Sequence, residues 1–264
     1  MNPITVDDVT LHHALEGEER LPVLVFVNSL GTDFRVWDPL AASLRGRFRM
    51  LRYDKRGHGL SDLTPGPYTI QRLAEDLAGL MDKLAIEQAI VCGLSVGGMI
   101  AQRLAHSRGD LVRALVLMDT GHKIGTPAMW RQRIETVEES GIEAIADGVL
   151  ERWFCSAFRE QRTEELALWR NMLVRTPRAG YLAVSQAIAA TDYTKETADL
   201  RLPALCIGGD EDGSTPPELL RELAALIPGA VCEIITQAGH LPGVEQPKAV
   251  YQAMDKFLRE NNLG

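Results

Sequence analysis

The chain has 264 residues, a formal net charge of −8 and 45% hydrophobic residues, which suits one domain of ordinary size with an insertion and shows no compositional sign of disorder. An acidic balance without any basic block argues against a nucleic-acid partner; no apolar run approaches membrane-spanning length, and the N-terminus lacks the pattern of a secretory signal. Cys92, Cys155, Cys206 and Cys232 form no C-x-x-C or Cys/His cluster, so no metal site is expected, and the setting reads as soluble, reducing and cytoplasmic.

Ile4–Val6 and Val9–Leu15 flank Asp7-Asp8 and predict a hairpin. The continuous apolar run from Pro22 to Asn28 predicts a strand covered on both faces. A helix over Arg35–Leu44 and a strand over Phe48–Tyr53 follow. Apolar residues at 70, 73, 77, 80, 81 and 84 give the period of an amphipathic helix. Strands are expected at Ala89–Leu94 and Leu111–Met118, with a helix between them. From about Pro127 to Ala190 only helical patterns occur, separated near Gly141, Phe158 and Pro177. Alternation then resumes: strand Ala204–Gly208, helix Pro217–Leu226, strand Val231–Thr236 and a last helix Glu245–Arg259. A helical block inside an alternating chain reads as an inserted cap. The expected organisation is a core of residues 1–120 and 198–264 with a cap of residues 121–197, the cap lying over the strand C-terminal ends where open α/β sheets bind ligands.

Between the strand at Ala89–Leu94 and the following helix lies Gly93-Leu94-Ser95-Val96-Gly97. Strand, G-x-S-x-G and helix together resemble the nucleophile elbow of the α/β-hydrolases. So tight a turn needs flanking residues almost without side chains, and it sets the hydroxyl at a helix N-terminus. A serine nucleophile needs a histidine base oriented by a carboxylate, in the chain order serine, acid, histidine for this fold. Three acids follow the Ala204 strand, Asp210, Glu211 and Asp212; charge alone does not choose between them, and any of them could instead cap the helix near Pro217. His240 is the one histidine after them, just past the last strand. His12, His13, His58, His106 and His122 all precede the acids; His58 resembles a structural turn of these hydrolases, His106 is expected to face solvent, and His122 lies where the cap begins. Backbone N–H groups of Val96 and of the loop after the third strand, Asn28-Ser29-Leu30-Gly31-Thr32, are the expected oxyanion donors. A serine nucleophile sets the chain apart from the dehalogenases and epoxide hydrolases of this fold, which use aspartate.

Over most of its length the chain resembles the 3-oxoadipate enol-lactonases. The resemblance rests on Asn28-Ser29-Leu30-Gly31-Thr32-Asp33, on Leu51-Arg52-Tyr53-Asp54 with Arg56-Gly57-His58-Gly59, on Gly66-Pro67-Tyr68-Thr69-Ile70, on Cys92-Gly93-Leu94-Ser95, on Arg152-Trp153-Phe154 and on Gly180-Tyr181. It implies an α/β-hydrolase fold, a mostly parallel eight-stranded sheet with helices on both faces and an inserted helical cap, and a cofactor-independent opening of a small carboxylated enol-lactone. The family spacing G-x-x-D followed by Pro selects Asp212 as the acid, beside Ser95 and His240, with the Leu30 and Val96 N–H groups as the oxyanion hole. Ser29 stands where many relatives carry glycine, which brings a hydroxyl beside the oxyanion site. Val96 stands where methionine is frequent. An anionic substrate calls for a local cation. The cap offers Arg131, Arg133 and Arg152 beside Trp130 and Trp153, and the resemblance points first to Arg133. Hydrolases of ring-fission diketones and general esterases share the elbow, and the fold also serves as a ligand receptor without turnover.

Overall fold

In the computed structural model, which describes residues 2–264, the chain opens with the expected hairpin. Strands β1 (Asn2–Val6) and β2 (Val9–Glu16) pair antiparallel about Asp7, whose φ of 49° is the left-handed value that a short polar side chain tolerates. Strands β3 (Val23–Val27), β4 (Arg49–Tyr53), β5 (Ala89–Leu94), β6 (Val112–Met118), β7 (Ala204–Gly209) and β8 (Val231–Ile235) complete one eight-stranded sheet in the order β1-β2-β4-β3-β5-β6-β7-β8. The pairs from β4 to β8 are parallel. The inner strands β5 and β7 are buried at every position, as continuous apolar runs predict for strands sandwiched by helices.

The helices follow the amphipathic patterns with instructive shifts. Helix α2 (Ile70–Lys83) is capped by the Thr69 hydroxyl, which accepts from the Arg72 N–H, and buries Ile70, Leu73, Leu77, Leu80 and Met81; each such side chain contributes about 1.5–3 kcal/mol by leaving water. The helix expected from Arg35 divides into a 3-10 turn, Phe34–Trp37, and α1 (Asp38–Leu44). Pro39 is the reason, since its ring nitrogen cannot donate back along the helix and is tolerated only in the first turn. The last helix starts later than expected for the same reason. Glu245 belongs to the short α11 (Pro242–Glu245), and the terminal helix runs over Pro247–Glu260 with its proline in the first turn.

Between β6 and β7 the chain is entirely helical. Helices α4 (Pro127–Ser140), α5 (Glu143–Trp153), α6 (Ser156–Gln161), α7 (Thr163–Val174), α8 (Arg178–Ala189) and α9 (Thr194–Ala198) follow one another without a strand. Phe158, expected near a break, lies inside α6 instead, buried and stacked on Phe154 at 4.3 Å. Cys92 and Cys206 are buried in the sheet and Cys155 at the start of α6, whereas Cys232 in β8 is only half-buried. No described helix is long and apolar enough to cross a membrane.

The strand order fixes where chemistry can occur. The chain leaves β3 towards β4 and returns to β5 on the opposite side, so the loops after β3 and β5 meet at a topological switch point, with the loop after β4 on the outer flank.

Candidate active site

Ser95 lies between β5 and α3 (Val96–Ser107), with φ 58° and ψ −120°. This sparsely populated conformation costs of order 1–3 kcal/mol and is held from several sides. The Ser95 N–H donates to Met118 at 2.9 Å, and its carbonyl accepts from the Thr120 hydroxyl at 2.6 Å. The glycines matter through close approach. A Cβ on Gly93 would lie 2.3 Å from the Gly97 carbonyl oxygen, and one on Gly97 only 2.0 Å from that of Val27. Gly98 belongs to the same device, because its Cβ would meet the Thr120 side chain at 2.5 Å.

Asp212 and His240 come together on the loops after β7 and β8. His240 Nδ1 lies 2.9 Å from Asp212 Oδ2, and both residues are buried. Asp212 also accepts from the Ser214 and Thr215 N–H groups and from the Thr215 hydroxyl. Burial pushes the Asp212 carboxyl up, but the attraction and hydrogen bond of His240, with those of Thr215 and Ser214, outweigh it and hold the group below the ordinary range. An ionised Asp212 favours the His240 tautomer with its proton on Nδ1, which leaves Nε2 unprotonated. The other two acids are engaged elsewhere on the surface: Asp210 accepts from the Ala238 N–H and Glu211 from Ser156. Ser95 and His240 line one cavity of about 320 Å³. The Ser95 hydroxyl caps nothing in its own helix, and no hydrogen bond joins it to His240 among the described residues; such nucleophile–base bonds are often long before substrate binds.

Leu30 and Ser29 line the same cavity from the β3 side. The Leu30 N–H has no acceptor among the described residues, and the Val96 N–H, first in α3, lies outside that helix's own ladder. Leu30 lines the cavity, whereas Val96 is fully buried and is not among the residues lining it. The loop carrying Leu30 is anchored at both flanks. The Gly31 N–H donates to His58 Nε2 at 3.1 Å, which makes His58 a buried acceptor whose pKa burial drives well below the ordinary value. Lys55, 1% exposed, donates to the Ser29 carbonyl at 2.5 Å.

Trp130, Arg133, Arg152 and Trp153 form the cap side of the cavity. The Arg133 guanidinium stacks over Trp130 at 5.3 Å and donates from Nε and Nη2 to the Tyr181 hydroxyl. Arg152 is half-buried. Burial, then the proximity of Arg133, lowers its pKa, so an anion between the two guanidiniums would relieve an existing cost. Arg131 is exposed on the far face of α4 and lies outside the cavity, as do His106 and His122. Trp169 lines a separate, larger cavity of about 810 Å³ beside Phe34 and Leu168, which holds no serine–histidine pair.

Asp119 was not legible in the sequence as part of the site. Asp119, directly after β6, is fully buried, and its carboxyl, with Asp212 and His240, forms a cluster within 4.8 Å. Asp212 already accepts from four donors, so this set suits an acid–base array better than a cation. The approach of a second carboxyl, with only the Gly209 N–H donating to it, is the signal that identifies Asp119.

A strained serine at a strand–helix elbow and a histidine bonded to a buried aspartate, both lining one cavity at a sheet switch point, define a serine hydrolase architecture. Residues 24–253 match the model of the alpha/beta hydrolase family. The chain is 32% identical to 3-oxoadipate enol-lactonase 2 of Acinetobacter baylyi, over 98% of this chain and 97% of that protein. It superposes on the crystal structure of the enol-lactonase from Burkholderia xenovorans LB400 with a TM-score of 0.95 and 38% identity, covering 98% of this chain and 100% of that one. A malate-bound thermophilic esterase from Thermogutta terrifontis gives a TM-score of 0.91 at 29% identity, with 99% of each chain covered. The chain belongs to the alpha/beta hydrolase family and, within it, to the 3-oxoadipate enol-lactonases.

Proposed function

We propose that this protein opens the ring of 3-oxoadipate enol-lactone with water to give 3-oxoadipate, the β-ketoadipate step of aromatic catabolism. Ser95 Oγ attacks the lactone carbonyl carbon while His240 Nε2 takes its proton, with Asp212 stabilising the resulting imidazolium. The tetrahedral oxyanion accepts from the Leu30 and Val96 N–H groups. The carbonyl–oxygen bond of the ring then breaks. The departing enolate oxygen takes the proton back from His240, and the enol becomes the ketone. Water, deprotonated by His240, releases the diacid and restores Ser95.

Residues 121–197 act as the cap of a core made of residues 1–120 and 198–264. The substrate carboxylate lies between Arg133 and Arg152, with Trp130 and Trp153 against its carbon skeleton and the Ser29 hydroxyl near the ring. The observation that carries this reading is the placing of two guanidiniums in the wall of a cavity whose floor holds Ser95 and His240. A neutral ester gives such a pair no carboxylate to hold. Four cysteines, none in a disulfide among the described residues, agree with a cytoplasmic setting. The test is a direct comparison of freshly generated enol-lactone, a neutral ester of similar size and a ring-fission diketone. The lactone should be turned over with by far the highest kcat/KM; preference for either of the others would assign the site to a different hydrolase.

A further inference from the structure

We propose that Lys55 is a polarising and positioning residue for the oxyanion hole, acting through the peptide unit that joins Ser29 to Leu30. That peptide's carbonyl oxygen accepts from Lys55, and because a trans peptide sets its N–H opposite its C=O, the Leu30 N–H points away from the lysine. Lys55 Nζ lies 2.5 Å from the Ser29 oxygen and 3.4 Å from the Asn28 oxygen. The same peptide's N–H, on Leu30, has no acceptor within the described residues, and Leu30 lines the cavity with Ser95. The inference rests on the reading of that N–H as an oxyanion donor.

The topology makes this arrangement possible. Lys55 follows β4, the oxyanion loop follows β3 and Ser95 follows β5, three adjacent parallel strands with β3 in the middle. The loop is therefore held between the lysine on one flank and the elbow on the other. Lys55 is buried without a carboxylate in hydrogen-bond contact; its bonds run to the two loop carbonyls. The nearest acid, Asp54, has both oxygens engaged by His12 and by the Phe34 and Leu60 N–H groups.

A buried ammonium is costly unless its charge is used. Here it withdraws electron density from the Ser29 carbonyl, and hydrogen bonds in a low dielectric polarise one another in series. The Leu30 N–H becomes a stronger donor, and it gains most when the acceptor carries full negative charge, as it does in the transition state. Lys55 thus lowers the barrier without touching substrate. Burial also brings its pKa down to about 7, so the polarisation changes within an accessible pH range. The charged or titratable groups around it are Asp54 and Asp33, which favour its cation, and His58, which is kept neutral.

The experiment reads the Leu30 amide itself. Ser–Leu occurs twice in the chain, at Ser29-Leu30 and Ser43-Leu44. Carbonyl-13C serine with 15N leucine therefore isolates the Leu30 amide beside Leu44 as an internal control. In a His240→Gln background, which removes titration of the base, the Leu30 amide proton should move upfield as pH rises through about 7 while Leu44 stays fixed, and Lys55→Met should abolish the movement. In the otherwise wild-type enzyme, Lys55→Met should lower kcat about 10- to 100-fold, below the full loss of an oxyanion donor. A boronic acid that forms a tetrahedral adduct with Ser95 should lose affinity by a similar factor, while 3-oxoadipate binding changes less than about twofold. An unmoved Leu30 resonance in the Lys55-containing protein overturns the proposal without the need for a folded Lys55 variant. A moving resonance with unchanged kcat also overturns it, and places the fault in Leu30 as the oxyanion donor rather than in the polarisation.

Discussion

The Asp119 carboxyl faces that of Asp212 in the buried acid–base cluster, with the Gly209 N–H on Asp119 Oδ1 at 2.8 Å and no hydrogen-bond partner for Oδ2 within the described residues. Two carboxylates so close do not both ionise. Burial first, then the charge of Asp212, raises the Asp119 pKa well above the ordinary range, with Glu245 adding to the effect. Asp212 is kept ionised by its four donors, so the proton resides on Asp119.

Asparagine is the neutral isostere of that protonated acid. Asp119→Asn should keep kcat within about threefold of wild type, because the amide is neutral and still accepts from the Gly209 N–H, whereas Asp119→Leu should lose 10-fold or more by leaving that buried N–H unpaired beside the acid–base cluster. Stability gives a second check. A carboxyl with a raised folded pKa contributes fully below its unfolded value, near 3.8, and that contribution is lost as pH rises through the folded pKa. The Tm of Asp119→Asn relative to wild type should therefore increase from pH 4 to pH 8. A difference independent of pH would mean that Asp119 does not carry the proton.

Replacing the nucleophile should separate binding from chemistry. Ser95→Ala should fold, bind 3-oxoadipate and lose turnover by several orders of magnitude, since the catalytic residues act as a unit. Steady-state kinetics with calorimetric binding of the product checks both halves.

Asp212→Asn should favour the wrong His240 tautomer and cost about 10⁴ in kcat, the scale measured for this change in another serine hydrolase. Asp210→Asn should stay near wild type, because Asp210 bonds only the Ala238 N–H. Paired kcat measurements decide it; a crippled Asp210 variant would reverse the assignment.

A charge-assisted bond to carboxylate contributes roughly 1.5–3 kcal/mol. Arg133→Met should therefore reduce kcat/KM about 10- to 150-fold on the carboxylated lactone and little on a neutral ester, with Arg152→Met behaving similarly and Arg131→Met silent. Equal losses on both substrates would point to disturbed packing around Tyr181 instead.

How much of this was legible follows from how local each signal is. The elbow, the apolar strands and the helical stretch between β6 and β7 are written in short stretches, and they form where expected. The breaks at Pro39 and Pro247 were also local, but the hydrophobic period around each proline masked it. Choosing among the cap arginines needed the rotation of α4. Arg131 and Arg133 differ by two positions, about 200° around a helix, which puts one in water and the other over Trp130. Asp119 and Lys55 were illegible for a different reason. Each reads as an ordinary polar residue after a strand, and gains its meaning only when neighbouring strands bury it beside another chain segment.

If Ser95 opens a lactone ring, it passes through a covalent acyl intermediate. Because ring opening expels no fragment, the acyl-enzyme retains every atom of the substrate. Mixing the enzyme with enol-lactone, quenching with acid within the first turnover and weighing the intact protein should show an increment equal to the whole lactone mass, located on Ser95 by peptide mapping and absent from Ser95→Ala. An increment smaller than the lactone, an adduct on another residue, or turnover that survives in Ser95→Ala would contradict ring opening by Ser95.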